Sequence, residues 1–289
     1  MKVQEFYDEK TNTLTYLVYD PSSKDALIID PVLDYDPKSS KVQYRSAEEL
    51  LDEAKKLGLN VHYIFETHAH ADHLTSAQYL KEKIPNVVTA IHENIKLVQE
   101  TFKGVFNFDD SFETEGKTFD MLLKDGEKIE AGTLKIDVIH TPGHTPACVS
   151  LLINDQAVFT GDALFMPDFG TGRCDFPKGS ADDLYTSIHE KLYKLDDDVD
   201  VYVGHDYQPG GRELAFKSNI GEEKEKNLQL KASTSREEYV QFRTERDSTL
   251  EAPKLLLPSI QVNAQNGIFP KADKNGVSYL KIPISEQLK

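Results

Sequence analysis

Short runs of β-branched and aromatic residues alternate along the chain with segments in which apolar residues recur at helical spacing. The first two such runs, 14–19 and 26–29, flank the turn-forming sequence Asp20-Pro21-Ser22-Ser23. Alternating strand-type residues on both sides of a short turn are typical of a β-hairpin. The N-terminal part of the chain is therefore predicted to open a β-sheet.

Helical spacing over 47–57 follows Ser46 and Glu49, which have the spacing of a capping box, and Gly58 is predicted to end this helix. The same alternation continues to about residue 203. The pattern predicts strands at 61–65, 87–91, 133–139, 149–153, 157–160 and 199–203, helices at 74–84 and 181–193, and a loop or short helix at 101–118. Strands and helices in two batches favour two packed sheets with helices outside, a layered α/β (α+β) sandwich.

The C-terminal quarter of the chain differs from this core in composition. Residues 213–246 are highly charged and have helical spacing, and short strands are predicted at 255–257 and 279–284. No flexible linker separates the two parts. We therefore expect a catalytic core over 1–212 and a C-terminal extension over 213–289 that packs on it.

The overall charge restricts the partners. The 289 residues are 39% hydrophobic and 28% charged, as in ordinary globular proteins, and 49 acidic against 33 basic residues give a net charge of −16. This field repels nucleic acid phosphates and anionic lipid, so neither nucleic acid nor a membrane is expected as a partner. An anionic small substrate would need a local basic patch.

Cysteine content and the N-terminus indicate the compartment. Cys148 and Cys174 are the only cysteines, so no disulfide framework is expected. The N-terminal sequence lacks the apolar stretch of a signal peptide, and no run approaches membrane-spanning length. We expect a cytoplasmic protein, and a homo-oligomer is compatible with the sequence.

The segment Thr67-His68-Ala69-His70-Ala71-Asp72-His73 carries the strongest chemical signal. It places three histidines and an aspartate within six positions, between a predicted buried strand and a helix. On an extended loop His68 and His70 project to the same side, whereas Asp72 and His73 turn with the incoming helix. Because neutral imidazole is the commonest protein metal ligand, this spacing predicts up to two adjacent metal positions rather than a purely structural polar loop.

Three further ligand-type residues follow predicted strands. His144 lies in the turn Thr141-Pro142-Gly143-His144-Thr145-Pro146, Asp162 follows Thr160-Gly161, and His205 begins His205-Asp206-Tyr207. A rigid sheet can gather distant ligands on the loops that leave its strands. His62, His92, His140 and His189 lack such partners and are expected to be packing residues.

The order of these motifs resembles the metallo-β-lactamase superfamily, whose members share an αββα sandwich with the metal site at one edge of the sheets. The resemblance covers nearly the whole chain. Within the superfamily the chain looks like the ETHE1-like persulfide dioxygenases of the bacterial type without a rhodanese domain. The matching motifs are Gly172-Arg173-Cys174-Asp175-Phe176-Pro177, His205-Asp206-Tyr207, Pro209-Gly210-Gly211-Arg212-Glu213, Leu257-Pro258-Ser259-Ile260-Gln261-Val262-Asn263 and Asn275-Gly276-Val277-Ser278-Tyr279-Leu280-Lys281.

This resemblance implies one Fe(II) per chain, bound by the residues that match His68, His144 and Asp162. It also implies oxidation of glutathione persulfide by O2 to sulfite and glutathione. Two histidines and a carboxylate suit non-haem iron oxygen chemistry because they leave coordination positions open. The positions that hold a second metal in dinuclear relatives match His70, Asp72, His73 and His205, which would surround the ligands here.

Two residues are expected to contact the substrate. Arg173 could clamp a glutathione carboxylate, because a planar guanidinium makes paired charge-assisted bonds, or it could form an ion pair with Asp175. Tyr207 could direct its hydroxyl at the reacting groups, or it could simply pack. The expected catalytic set is His68, His144, Asp162 and Tyr207. Family members often carry a basic residue in the segment that matches 262–267, and this chain has none there.

Two other functions fit the same ligands. A glyoxalase II-like hydroxyacylglutathione hydrolase would use Zn(II) or another dinuclear metal pair, with Asp162 bridging and a metal-bound hydroxide as the nucleophile. A metal-stabilised binding protein would hold a coordinatively saturated metal and catalyse nothing. Metal content and oxygen consumption separate these alternatives.

Overall fold

A computed structural model describes residues 1–284, so positions 285–289 of the predicted C-terminal extension lie outside the described residues. The strands are, in chain order, β1 (Lys2–Asp8), β2 (Thr13–Tyr19), β3 (Asp25–Ile29), β4 (Val32–Asp36), β5 (Lys41–Gln43), β6 (Asn60–Phe65), β7 (Leu74–Thr75), β8 (Val88–His92), β9 (Met121–Leu123), β10 (Lys128–Ala131), β11 (Leu134–His140), β12 (Val149–Ile153), β13 (Ala157–Phe159), β14 (Asp200–Tyr202) and β15 (Lys217–Asn219). The α-helices are α1 (Arg45–Leu57), α2 (Ala77–Lys83), α3 (Ile95–Val105), α4 (Ala181–Glu190), α5 (Ile220–Lys226), α6 (Arg236–Asp247) and α7 (Leu256–Asn263). Short 3-10 turns lie at Leu192–Lys194 and Pro209–Gly211.

Two six-stranded mixed sheets form the body of the molecule. The first has the strand order β1-β2-β3-β6-β8-β9 and the second the order β10-β11-β12-β13-β14-β15. Each begins with antiparallel neighbours and contains parallel pairs where a helix crosses over, as in β3–β6 and β13–β14. A small third sheet has the order β5-β4-β7.

The burial pattern of β2 shows how the layers stack. Tyr16 and Val18 pack into the core between the two sheets, whereas Leu17 and Tyr19 pack on the opposite face against α1 and α2. Because side chains alternate along a strand, a strand covered on both faces is apolar throughout. Leu184 of α4 joins the same inter-sheet cluster from the far side of the second sheet. The predicted sandwich of two sheets between helices is confirmed.

Most predicted elements of the core are present, with corrections at their ends. The capping box is wrong, because the Ser46 hydroxyl donates to Asp34 and α1 begins at Arg45 without a side-chain cap. Gly58 does end the helix, in the left-handed conformation with φ 66°. The helix expected over 74–84 begins only at Ala77, because the preceding residues pair with β4 as β7.

The C-terminal part departs furthest from the pattern. Of residues 255–257, predicted as a strand, Leu255 is the N-cap of helix α7 and the other two are its first residues, and 279–284 form no strand. Pro258 is tolerated in the first turn of a helix, where its missing N–H has no partner to lose. Ile260 and Val262 pack in two separate apolar clusters. Residues two positions apart share one face of a strand but lie on different faces of a helix, so this packing favours the helix. The core and extension boundary at 212/213 stays a proposal; β15 of the extension pairs with β14 of the second sheet.

A stacked pair of histidines joins the two sheets. The rings of His92, at the end of β8, and His140, at the end of β11, lie 3.9 Å apart and nearly parallel at 9°. His92 Nδ1 accepts from the backbone N–H of Asn94, and His140 Nε2 donates to the carbonyl of Pro146. Burial, and then the neighbouring His140, lower the pKa of His92 to about 3. Both rings are therefore neutral packing groups at neutral pH, as the sequence predicted.

This pair predicts acid sensitivity. The pKa of His92 is lower in the folded chain than in the unfolded one, so below about pH 6.5 the unfolded state takes up a proton that the folded state does not. The free energy of unfolding should therefore fall as the pH falls from about 6.5 towards 3. The variant His92→Phe keeps a stacked ring. Between about pH 7 and pH 4.5, its free energy of unfolding in urea should decrease by about 2 kcal/mol less than that of the wild type. Parallel pH curves for the two proteins would contradict this role.

Among residues 1–284, no helix combines the length and the apolar character that a bilayer-spanning segment needs.

Candidate metal centre

The candidate ligands all lie on loops that leave strands at one edge of the sandwich. The loop 67–73 follows β6, His144 follows β11, Asp162 follows β13 and His205 follows β14. Thr67 fixes the start of the first loop, because its backbone N–H and its hydroxyl both donate to the carboxylate of Asp30, each at 2.7 Å. Four separate strands thus bring their ends together at one point.

Glycine permits the close approach of two of these loops. Gly161, with φ 50°, turns the chain sharply after β13. A Cβ atom there would lie 2.5 Å from Thr67 Oγ1, closer than any real side-chain contact. The sequence Thr160-Gly161-Asp162 therefore places the carboxylate directly beside the histidine loop.

The first ligand group consists of His68, His144 and Asp162. All three residues are buried, and each offers an atom within 4.8 Å of the others. Asp162 Oδ2 lies 4.0 Å from His68 Nε2 and 3.6 Å from His144 Nε2. The structure thus brings the potential ligand atoms of these three residues close together.

A second ligand group lies beside the first. His70, Asp72 and His73 also offer atoms within 4.8 Å of one another. His205 Nε2 lies 3.4 Å from Asp72 Oδ2 and 3.3 Å from Asp162 Oδ1. Asp162 therefore lies between the two groups, and all seven predicted ligand-type residues converge.

Hydrogen bonds from the outer ring nitrogens fix the tautomers of three histidines. His144 Nδ1 donates to the carbonyl of Arg173 at 2.6 Å, His73 Nδ1 to the carbonyl of Leu74 at 3.0 Å, and His205 Nδ1 to the carbonyl of Asn12 at 3.1 Å. In the neutral form of each ring, Nε2 then carries the lone pair and faces the centre. Metal-ligating histidines in proteins are oriented in this way.

Several buried polar atoms of the centre have no hydrogen-bond partner within residues 1–284. They are His68 Nε2, His70 Nδ1, His73 Nε2 and Asp162 Oδ1. Buried polar atoms are normally paired, and a cation in each ligand group would give these atoms a partner. The residues present therefore fit a metal ion.

The protonation of the imidazoles differs across the centre. Burial, followed by repulsion from the neighbouring imidazoles, lowers the pKa of His68 well below its usual range. Burial and then His70 lower the pKa of His73 to about 4. Burial opposes protonation of His70 as well, but the carboxylates of Asp30 and Glu66 outweigh it and raise the pKa of His70. At neutral pH His68 and His73 carry lone pairs available to a metal.

A cavity of about 410 Å³ opens over the first ligand group. Its wall is aromatic on one side, where Phe165, Phe169 and Tyr207 pack on one another. Its basic residues come from distant parts of the chain, namely Lys10, Arg173, Arg243, Arg246 and Lys254. The chain thus concentrates cations at this opening despite its net charge of −16.

Arg173 and Tyr207 both line the cavity, and their roles stay predictions. The guanidinium of Arg173 is paired with both carboxylate oxygens of Asp175, each at 2.6 Å, and donates to the carbonyl of Glu251. Tyr207 keeps 41% of its surface exposed, but the walls of the cavity partly desolvate its ring, and this desolvation, followed by the charges of Asp162 and Asp72, raises the pKa of Tyr207 well above its usual range. Its hydroxyl therefore stays protonated and can donate a hydrogen bond.

Sequence reasoning missed the residues that the C-terminal extension supplies. Arg246 and Lys254 line the cavity, and Asn263 of α7 donates to the carbonyls of His70 and His73 at 2.8 and 2.6 Å. Asn263 also accepts from the backbone N–H of Thr75 at 2.9 Å, so it holds the histidine loop along its length. Asn263 lies in one of the motifs that carry the family resemblance. No motif or spacing in the sequence indicates that Arg246 and Lys254 line the cavity.

Comparison with known proteins adds four findings. Residues 9–205 match the metallo-β-lactamase superfamily. The chain is 45% identical over 98% of its length to a Dictyostelium discoideum protein named glyoxylase B2, covering 97% of that protein. It is 32% identical over 83% of its length to the human mitochondrial persulfide dioxygenase ETHE1, covering 79% of that enzyme. The crystal structure of ETHE1 from Myxococcus xanthus superimposes with a TM-score of 0.73 and 30% identity over 93% of this chain and 100% of that one.

Proposed function

The chain belongs to the metallo-β-lactamase superfamily, and from this premise and its ETHE1-like sequence we propose that it is a non-haem iron persulfide dioxygenase. In the proposed reaction glutathione persulfide, O2 and water give glutathione, sulfite and two protons. The terminal sulfur loses electrons to O2, both oxygen atoms of O2 reach that sulfur, and water cleaves the S–S bond. We place the reaction in the cavity over the first ligand group.

The convergence of His68, His144 and Asp162 is the observation that carries this proposal. These three residues would hold a ferrous ion, which would supply open coordination positions and redox chemistry for O2. The backbone carbonyl of Arg173 keeps the proton of His144 on Nδ1, so that Nε2 remains a ligand. Asp162 contributes the single negative charge of this set.

Other side chains would orient the substrate and exclude competing chemistry. Tyr207 can donate a hydrogen bond from its protonated hydroxyl, and Phe165 and Phe169 keep water from one side of the cavity. Burial raises the pKa of the Cys174 thiol well above its usual range. Cys174 therefore stays a thiol and is not expected to attack a persulfide.

The basic residues at the opening of the cavity suit a substrate that carries carboxylates. Arg173 and Arg243 are paired with Asp175 and Asp247. Within residues 1–284, Lys10, Arg246 and Lys254 form no ion pair, and all three side chains are exposed at the opening. These cations supply the local basic patch that a strongly acidic protein needs for an anionic thiol.

Removal of two of these cations should weaken substrate binding without changing the chemistry. For the double variant Arg246→Ala, Lys254→Ala we expect the KM for glutathione persulfide to rise by about 10-fold at low salt, with kcat and metal content unchanged. The difference should shrink as ionic strength rises, because salt screens exposed charges. Lys271→Ala, an exposed lysine away from the cavity, is the matched control. An equal effect of both variants would contradict a local binding site.

A second candidate function is a glyoxalase II-like hydrolase of hydroxyacylglutathione thioesters with two metal ions. The second ligand group favours it, since His70, Asp72, His73 and His205 provide donors for a second ion. The name glyoxylase B2, which the Dictyostelium relative carries, points the same way. The proposal therefore needs an experiment that separates the two reactions.

Anaerobic reconstitution with Fe(II), followed by assay of both substrates, provides that experiment. We expect about one iron per chain, O2 uptake with glutathione persulfide and stoichiometric sulfite. A hydroxyacylglutathione thioester should be hydrolysed slowly or not at all. Two bound ions with fast thioester hydrolysis and no O2 uptake would establish the hydrolase instead.

A further inference from the structure

A buried ion pair of helix α6 lies beneath the loop that follows Asp162. Arg243 and Asp247 are one helical turn apart, and Arg243 Nη2 donates to Asp247 Oδ1 at 2.7 Å. The two residues are only 2% and 6% exposed. Replacement of such a pair by apolar residues is often neutral or stabilising, so a buried ion pair is weak evidence of a role in stability.

The ion pair holds the backbone on both sides of Arg173. Arg243 Nη1 donates to the carbonyls of Thr171 at 3.2 Å and Gly172 at 3.3 Å. Asp247 Oδ2 accepts from the backbone N–H of Cys174 at 2.7 Å. Cation and anion therefore bind opposite ends of the same short loop, and together they fix the orientation of its peptide groups.

The carbonyl of Arg173 is the group between these two anchors. It accepts the hydrogen bond from His144 Nδ1 at 2.6 Å, and the ring then presents Nε2 3.6 Å from Asp162 Oδ2. A displaced carbonyl would allow the His144 ring to rotate or to change tautomer. The path from the ion pair to the ligand atom thus passes through one peptide unit and one imidazole ring.

We propose that Arg243 and Asp247 are positioning residues that set the orientation and tautomer of the His144 ligand through the Arg173 carbonyl. This role couples the C-terminal extension to the metal centre. Directional bonds of two charged groups restrain a loop more tightly than apolar contacts, since they fix the direction of each peptide dipole. The inference concerns metal binding and does not depend on which substrate the enzyme uses.

The test uses Co(II) as the probe, because its visible absorption reports coordination geometry independently of turnover. The double variant Arg243→Met, Asp247→Leu removes the bonds to the loop and leaves no unpaired buried charge. We expect it to fold, to bind Co(II) about 10- to 100-fold more weakly in competition with a chelator, and to show an altered cobalt spectrum. Arg243→Lys keeps the charge but loses the planar fork, and should fall between this variant and the wild type.

Tyr193→Phe is the matched control. It removes a hydroxyl that donates to the carbonyls of Glu223 and Leu230, in the same part of the molecule but away from the ligand loops. We expect this variant to lose stability while its Co(II) affinity and spectrum stay as in the wild type. Wild-type cobalt binding by the folded double variant would overturn the proposal, and so would an equal loss of affinity in Tyr193→Phe. Either result would leave the oxygen-uptake test of the proposed function unaffected.

Discussion

Replacement of His144 by alanine is expected to reduce metal content and O2 uptake with glutathione persulfide by more than about 100-fold, while the fold is retained. His144 contributes one of three ligands in the first group, and its Nε2 faces Asp162. Its loop is held independently, because Asn94 and His140 donate to the carbonyl of Pro146. Metal analysis after Fe(II) reconstitution, oxygen uptake and circular dichroism measure the three outcomes.

His189→Ala is the matched control for this change. His189 stacks on Tyr185 of helix α4 and belongs to neither ligand group. The His189→Ala variant should retain metal content and oxygen uptake within about two-fold of the wild type. Full iron content in His144→Ala, or activity without it, would remove the basis for the first ligand group.

Gly172→Ala should disrupt the centre although it adds a single methyl group and removes no ligand. A Cβ atom at this position would lie 2.0 Å from the carbonyl oxygen of Asp162. The clash is with backbone, which cannot rotate away as a side chain could, so the Asp162 loop or the 171–174 loop must shift. Misplacement of catalytic groups by about 1 Å can cost 100-fold in rate. We expect a loss of that order in activity, together with weaker metal binding and a lower midpoint of thermal unfolding.

Gly104→Ala supplies the comparison for this substitution. Gly104 lies in helix α3, and a Cβ atom there would meet nothing within 4 Å. Alanine is preferred over glycine in a helix by up to about 1 kcal/mol, so this variant should be as stable as the wild type or more so, with unchanged metal content. Should Gly172→Ala behave in the same way, the close approach of the two loops would not matter for the centre.

Periodicity and local chemistry were enough to predict the sandwich core. The hairpin of β2 and β3, the buried strand β6 and the alternation of β11 to β13 follow from patterns within a few residues of each element. The motif of His68 to His73, and the position of each other candidate ligand after a strand, predicted a metal site at one sheet edge. The prediction of the core succeeded because strand and helix periodicity is a property of short segments.

The C-terminal extension could not be predicted in this way. Residues 255–257 have an apolar composition that suits either a strand or a helix. The helix forms because two faces of α7 are buried in separate apolar clusters. Residues 279–284 have strand-type composition but gain no partner strand among the described residues. In both cases the tertiary environment outweighed intrinsic preference.

The sequence by itself therefore determined the two-sheet core and the choice of seven candidate metal ligands, because strand periodicity and ligand type are properties of short segments. Only the tertiary structure decided which side chains surround them. Arg243, Asp247 and Asn263 lie far along the chain from the loops they hold, and Arg246 and Lys254 reach the cavity only because the extension folds back over it. Contacts between residues so distant in sequence depend on how whole layers pack, and no local pattern encodes that packing.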